Sequence, residues 1–190
     1  KNPVRAVEEA EAALALDPAN EAAHLQLGQI FLSYNTPEAA AEVFIEAERL
    51  FPESFLVRLG KGLALKELGR YEEATKDLRK CLEMQPASGT AFDGLGTALL
   101  HGSDFVELRR VSEEFIERNP ADYRGYYYLG TAFERTGMPD RKVMEQLILS
   151  LARNPDFAAT HALLGKVLLK QNSVVEAAKT LERAVALRPD

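Results

Sequence analysis

Few residues in this 190-residue chain have types and spacings suited to chemistry, and each candidate meets an objection. Two Gly-Lys pairs, Gly60-Lys61 and Gly165-Lys166, raise the question of a phosphate-cradling loop. Such a loop needs a glycine five residues earlier and a Ser or Thr after the lysine, for backbone amides and a hydroxyl to surround the phosphate and its metal. Here Phe55 and Thr160 stand in the first place, and Gly62 and Val167 in the second. The adjacent carboxylates Glu8-Glu9, Glu72-Glu73 and Glu113-Glu114 would have to face one way to share a proton or a metal. Successive helix residues diverge by about 100°, so these pairs read as solvated faces.

His24 and His161 recur at one position of an internal repeat, four repeats apart, and read as packing residues rather than metal ligands. His101 has no Asp or Cys companion. Cys81 is the sole cysteine, so neither an internal disulfide nor a CxxC metal pattern exists, and it reads as a buried, inert thiol. No catalytic residue, cofactor or metal site is expected. The net charge of −6 argues against nucleic acid, which leaves a basic stripe. The pairs Arg109-Arg110 and Arg141-Lys142 are isolated. No run of 18 apolar residues is present, so no membrane partner is expected within this segment. The chain begins at Lys1 without Met, which points to a trimmed segment. A lone cysteine slightly favours the cytoplasm, and localisation is otherwise not legible.

The elements that position these residues follow from a repeat. Prolines fall at Pro18, Pro52, Pro86, Pro120, Pro155 and Pro189, with spacings 34, 34, 34, 35 and 34. Glycines fall at Gly28, Gly62, Gly96, Gly130 and Gly165 with the same extra residue in the same unit, placed around Met138 in a turn. Each unit carries apolar residues at helical spacing twice over, as in Leu27, Ile30, Phe31 and Tyr34, then Ala40, Val43, Phe44, Ala47 and Leu50. Asn35-Thr36-Pro37 offers a left-handed residue, a cap and a first-turn proline, and Gly69, Gly102, Gly137 and Asn172 mark the corresponding turns. Asn20, Ser54, Ser88 and Asp122 are expected as N-caps, and Ser173 with Glu176 as a capping box. The repeat prolines should end each second helix.

Counted from Glu21, Phe55, Gly89, Tyr123 and Ala158, the sequence resembles the tetratricopeptide repeat over essentially its whole length. His24, Leu27, Gly28, Phe31, Ala40, Phe44, Ala47 and Pro52 carry the likeness in the first unit. Leu164, Gly165, Ala177, Leu181, Ala184 and Pro189 carry it in the last. The resemblance implies an all-α fold, a right-handed α-solenoid (superhelix) of tandem helix-turn-helix hairpins, with about ten to eleven helices and no strands. Residues 1–18 would supply a second helix, followed by repeats at 21–54, 55–88, 89–122, 123–157 and 158–190. The repeat glycines are expected to let small residues such as Ala40 and Ala74 approach closely, with Phe44, Leu78, Leu147 and Leu181 filling space between hairpins. The third unit departs: Leu108 and Phe115 stand where alanine is usual and Ser112 where a large residue is usual, a size swap that conserves volume.

The resemblance also implies that first helices line a concave groove. The positions looking into it include Leu25, Gln29, Leu32, Leu59, Leu63, Lys66, Asp93, Thr97, Arg124, Tyr127, Tyr128, Thr131 and Lys166. These match neither the lysine and asparagine clamp of chaperone-tail binders nor the asparagine ladder of the glycosyltransferase type. The groove is not basic and the period is mostly 34, unlike the 35-residue period and basic groove of the RNA-reading pentatricopeptide class. Tyr126 is expected to pack inside, whereas Tyr127 and Tyr128 have no packing duty in the pattern and should meet a partner. The implied function is a scaffold for protein–protein interaction that binds a peptide or protein segment and is not an enzyme. Two alternatives stand beside it: the regulatory or substrate-recruiting region of a larger enzyme, and a module that self-associates end to end. Groove truncations such as Leu63→Ala and Tyr127→Ala should then weaken binding and leave stability unchanged.

Overall fold

The computed structural model describes residues 3–188, so Pro189 lies outside the described residues. Among them are eleven helices and no strand. The chain divides into two compact units, Lys1–Gly102 and Ser103–Asp190. The division falls inside the third repeat, between its on-pattern first helix and its off-pattern second.

The first unit contains α1 (Pro3–Leu16), α2 (Glu21–Ser33), α3 (Pro37–Leu50), α4 (Phe55–Glu67), α5 (Tyr71–Met84) and α6 (Gly89–His101). Each helix packs on the next, and α2, α4 and α6 also touch one another in sequence, whereas α3 and α5 make no comparable contact. The layer of first helices is therefore the inner, more closely spaced one. The second unit contains α7 (Phe105–Arg118), α8 (Tyr123–Arg135), α9 (Asp140–Arg153), α10 (Ala158–Lys170) and α11 (Val174–Leu187). Its helices likewise pack each on the next.

Local signals set these boundaries. Asn20, Ser54, Ser88 and Asp122 accept from the backbone N–H of Ala23, Val57, Ala91 and Arg124, satisfying donors that a helix start leaves orphaned. Pro18, Pro52, Pro86, Pro120 and Pro155 each follow the last helical residue by two, where the missing N–H and the ring end the ladder. The fourth repeat's extra residue sits in the 136–139 turn, one longer than its counterparts. Two expected caps are absent. Ser173 makes no side-chain cap bond, so there is no capping box with Glu176. The Thr36 hydroxyl donates backward to the Phe31 carbonyl instead of capping α3.

The turn residues also need one correction. Asn35, Gly69, Gly137 and Asn172 take positive φ as expected, but Gly102 is right-handed and Ser103 adopts φ 61°. Counting from the repeat starts, Ser103 occupies the place of Asn35 and Gly69; Gly102 stands one residue early. A side chain with a Cβ is strained there by about 1–2 kcal/mol. Ser103→Gly should thus stabilise the protein by about 1 kcal/mol in urea unfolding, whereas Gly69→Ser should do the reverse.

The repeat glycines lie closest to the large residue of the second helix, with the small-residue backbone behind it where Gly165 nears Ala177. A Cβ at Gly28 or at Gly60 would fall inside the van der Waals envelope of the Phe44 ring, which lies between them. A Cβ at Gly62 would lie 2.8 Å from Leu78, one at Gly130 2.9 Å from Leu147, and one at Gly165 2.6 Å from Leu181. The large residue of the second helix is the nearest neighbour in each of these glycine notches, with the Ala177 carbonyl also 3.5 Å away at Gly165.

Candidate interaction surface

In the first unit the inner layer presents α2, α4 and α6. Leu25, Leu32, Leu59 and Leu63 are half-buried and Gln29 is exposed, while Leu56 is 55% exposed. Leu25 and Leu32 rest on the cluster built around Ala40 and Phe44. Leu32 and Leu63, with Asn35, Pro37, Lys66 and Glu67, line a pocket of about 180 Å³. The Lys66 ammonium is 2.8 Å from the Glu67 carboxylate. Asp93 is exposed and Thr97 half-buried further along on α6. Leu63 also packs inward: its Cδ2 stands 2.9 Å from where a Gly94 Cβ would be. Truncating Leu63 therefore costs packing as well as surface, which corrects the expectation of unchanged stability.

In the second unit α8 and α10 carry the equivalent positions. Arg124 is held by both oxygens of Asp122, at 2.9 and 2.7 Å. The half-buried Tyr127 ring meets Phe157 edge-on, with centroids 5.1 Å apart, and Tyr128 at 5.0 Å. Its truncation removes these contacts too. Tyr128 is only 4% exposed, so it is a packing residue and not an open anchor. The glycine register explains why. Gly60 and Gly94 hold the same repeat position as Tyr128, and each faces the large second-helix residue of the preceding repeat, Phe44 or Leu78. Opposite Tyr128 that residue is Ser112, itself buried with its hydroxyl donating to the Leu108 carbonyl. A small residue on one helix is matched by a large one on the other. Thr131 is buried as well, and its hydroxyl donates to the Tyr127 carbonyl, so it offers nothing outward.

Lys166 and Lys170 are exposed and converge on one oxygen of Glu134, at 2.8 and 3.2 Å. Burial pushes the Glu134 carboxyl up, but the hydrogen bonds from the two ammonium groups outweigh this and hold it below its ordinary range. A depressed folded value means the stabilisation is present above the unfolded value near pH ~4.3 and is lost as pH falls through the folded one. Glu134→Gln should cost about 1 kcal/mol at pH 7 and flatten the stability profile on the acid side, as read by urea titrations from pH 7 downward.

The remaining chemistry-bearing residues have structural uses. His24 and His161 donate from Nε2 to the carbonyls of Pro18 and Pro155, at 3.0 and 2.8 Å. Arg58 and Tyr126, at the same repeat position, do likewise to Pro52 and Pro120. A polar group there satisfies the carbonyl of the repeat proline, a role the packing reading of the histidines did not include. His101 stacks on Tyr71 at the end of α6, with centroids 5.7 Å apart. Cys81 is fully buried, and that burial pushes its thiol up to about 12, so it is not a nucleophile at neutral pH. Among the described residues no cluster of His, Cys, Asp and Glu could hold a metal ion, and no helix is long and apolar enough to cross a membrane.

Sequence reasoning missed one feature altogether. Arg58 and Lys61 on α4 occupy places where the repeat pattern wants an aromatic and a leucine. They meet Glu48 of α3 and Asp77 of α5 in a charged network. Arg58 lies 2.9 Å from Glu48 and 3.5 Å from Asp77, while Lys61 bonds Glu48 and lies 3.1 Å from Asp77. None of the four side chains is more than a quarter exposed. Burial raises the Asp77 carboxyl, and the Lys61 hydrogen bond only partly offsets it.

Family models for the tetratricopeptide repeat match residues 2–55, 149–190 and 57–88. The chain belongs to the tetratricopeptide repeat family. Protein FlbA of Caulobacter vibrioides is 33% identical to this repeat chain over 112 residues, covering 55% of it. The match spans only 19% of FlbA's length. Among solved structures, MamA from Desulfovibrio magneticus RS-1 superposes with a TM-score of 0.71 at 24% identity, covering 89% of this chain and 95% of that one. YrrB, described as a tetratricopeptide repeat protein with an unusual peptide-binding site, superposes at 0.67 and 20% identity, covering 97% and 95%. These neighbours show the fold of a helical-repeat solenoid, which in this family indicates a protein-interaction scaffold.

Proposed function

We propose that this tetratricopeptide repeat segment binds a peptide or protein stretch along the inner faces of its first helices and carries out no catalysis. The observation that carries the reading is the apolar surface on α2 and α4. Leu25, Leu32, Leu59 and Leu63 stay partly open and Leu56 more so, and Leu32 and Leu63 wall a pocket. Open leucines at repeating inner positions are stabilised by a partner's apolar side chains, in the manner of a segment laid in a groove. The peptide-binding site in YrrB's description fits the same use of the fold.

Gln29 gives a clean test because it is exposed between Leu25 and Leu32 on α2. Peptides selected by display on the wild-type protein should bind Gln29→Arg at least tenfold more weakly, since the longer charged side chain blocks the face. The melting temperature should move little, because surface changes away from caps and core stay within about ±0.5 kcal/mol. Equal binding to the variant, or no selectable peptide at all, would overturn the proposal.

A further inference from the structure

The first helices of the two units differ in charge. On α2, α4 and α6 the cations Arg58, Lys61 and Lys66 are balanced by Glu21, Glu67 and Asp93. On α8 and α10 four cations, Arg124, Arg135, Lys166 and Lys170, meet two carboxylates, Glu134 and the N-cap Asp122 that holds Arg124, an excess of two in a chain whose net charge is −6. Two of these cations share that carboxylate. Glu134 is 8% exposed at its side chain, against 58% for Lys166 and 47% for Lys170. The buried carboxylate thus fixes two outward ammonium groups while neutralising one charge. Arg135 is seated over the Phe105 ring, 4.6 Å from its centroid, and has no carboxylate within ion-pair distance among the described residues. At the other end of α8, Tyr123, Tyr127 and Phe157 form a partly open aromatic patch.

We propose that this wall of the second unit takes an acidic, extended protein segment. An apolar or aromatic anchor rests on Tyr127 and Phe157, and an Asp or Glu side chain meets Lys166 and Lys170. The inference rests on the interaction-scaffold reading and names the partner's chemistry. Geometry sets the spacing. Tyr127 and Glu134 are seven residues apart on one helix, or about 10 Å at 1.5 Å per residue. An extended chain rises about 3.3 Å per residue, so anchor and acid should be about three residues apart. Charge complementarity at a fixed place contributes specificity and rate of association more than raw affinity.

The test uses the protein as it stands and capped synthetic 15-residue peptides with one Phe and one Glu at spacings from one to six, in both orders. A parallel set carries Gln for Glu. Fluorescence polarisation should show the tightest binding at a spacing of three, weaker binding with Gln, and a decline between 50 and 300 mM salt. The Lys166→Gln/Lys170→Gln variant should bind at least tenfold more weakly. It leaves Glu134 buried without partners, so Lys166→Gln/Lys170→Gln/Glu134→Gln, with no orphaned charge, should fold and show the same loss. Equal binding of the Gln peptides, no spacing preference, or full binding by the triple variant would overturn the inference. Tighter binding of a labelled oligo-uridine, lost in the triple variant, would overturn it in favour of nucleic acid. If none of these peptides binds while display peptides still depend on Gln29, the acidic partner falls and the scaffold reading stands. If neither holds, both fall.

Discussion

Phe44→Ala is expected to cost the first unit about 3–5 kcal/mol, the range for truncating a buried phenylalanine. The ring is 2% exposed and lies between Gly28 and Gly60, on two different helices. Deleting it opens a cavity that backbone alone borders on two sides. The same geometry predicts a change of sign. Gly28→Ala or Gly60→Ala in the wild type gains about 1 kcal/mol of helix propensity but forces a methyl group into the ring, and overpacking costs about 1–3 kcal/mol. In the Phe44→Ala background there is no ring to meet, so both alanines should stabilise. Urea unfolding with hydrogen exchange confined to α2–α4 would read this cycle, since repeat proteins can unfold in parts. Glycine substitutions that stabilise both backgrounds equally would show that the notch is not tight.

Lys61→Ala should be almost as damaging, at about 3 kcal/mol, because it breaks a largely buried charge network and leaves carboxylates under-compensated. The loss should not be repaired by Lys61→Leu, although leucine is the residue the repeat pattern asks for, since the carboxylates remain. Lys61→Leu combined with Asp77→Leu removes the charge with its partner and keeps Arg58 on Glu48; it should recover most of the stability. Acid should help the single variant. Asp77 already sits above its ordinary range through burial, so the folded state holds its proton more tightly than the unfolded chain. Its contribution is therefore full below the unfolded value and is lost as pH rises through the folded one. Lys61→Ala should recover part of its deficit as pH falls through that window, and Lys61→Ala/Asp77→Asn should show no such recovery.

The contrast between these features and the helices shows what a sequence discloses. Helix boundaries were legible because their causes are local: Asn20, Ser54, Ser88 and Asp122 cap by reaching two or three residues along, and the prolines terminate helices by their own chemistry. Tyr128 was not legible in isolation. The repeat register sets it opposite Ser112, sixteen residues earlier, and that register becomes visible only once Gly60 and Gly94 show which positions face each other. Ser103 was missed because Gly102 beside it is the more obvious turn residue, although the 34-residue count selects Ser103. The charged network had a readable sign in Arg58 and Lys61, two breaks from the pattern on one helix. Its partners Glu48 and Asp77 come from the two flanking helices, so only the packing identifies them.

The inner faces of the first helices, and not the outer faces of the second, are expected to receive the partner. Side-chain methyl NMR of the intact protein, titrated with a display-selected peptide, measures this directly. Shifts and intermolecular contacts are expected at Leu25, Leu32, Leu59 and Leu63, with the α3 and α5 residues Val43, Ile45 and Leu82 unmoved. A footprint centred on those second-helix residues, with the inner leucines unchanged, would contradict it.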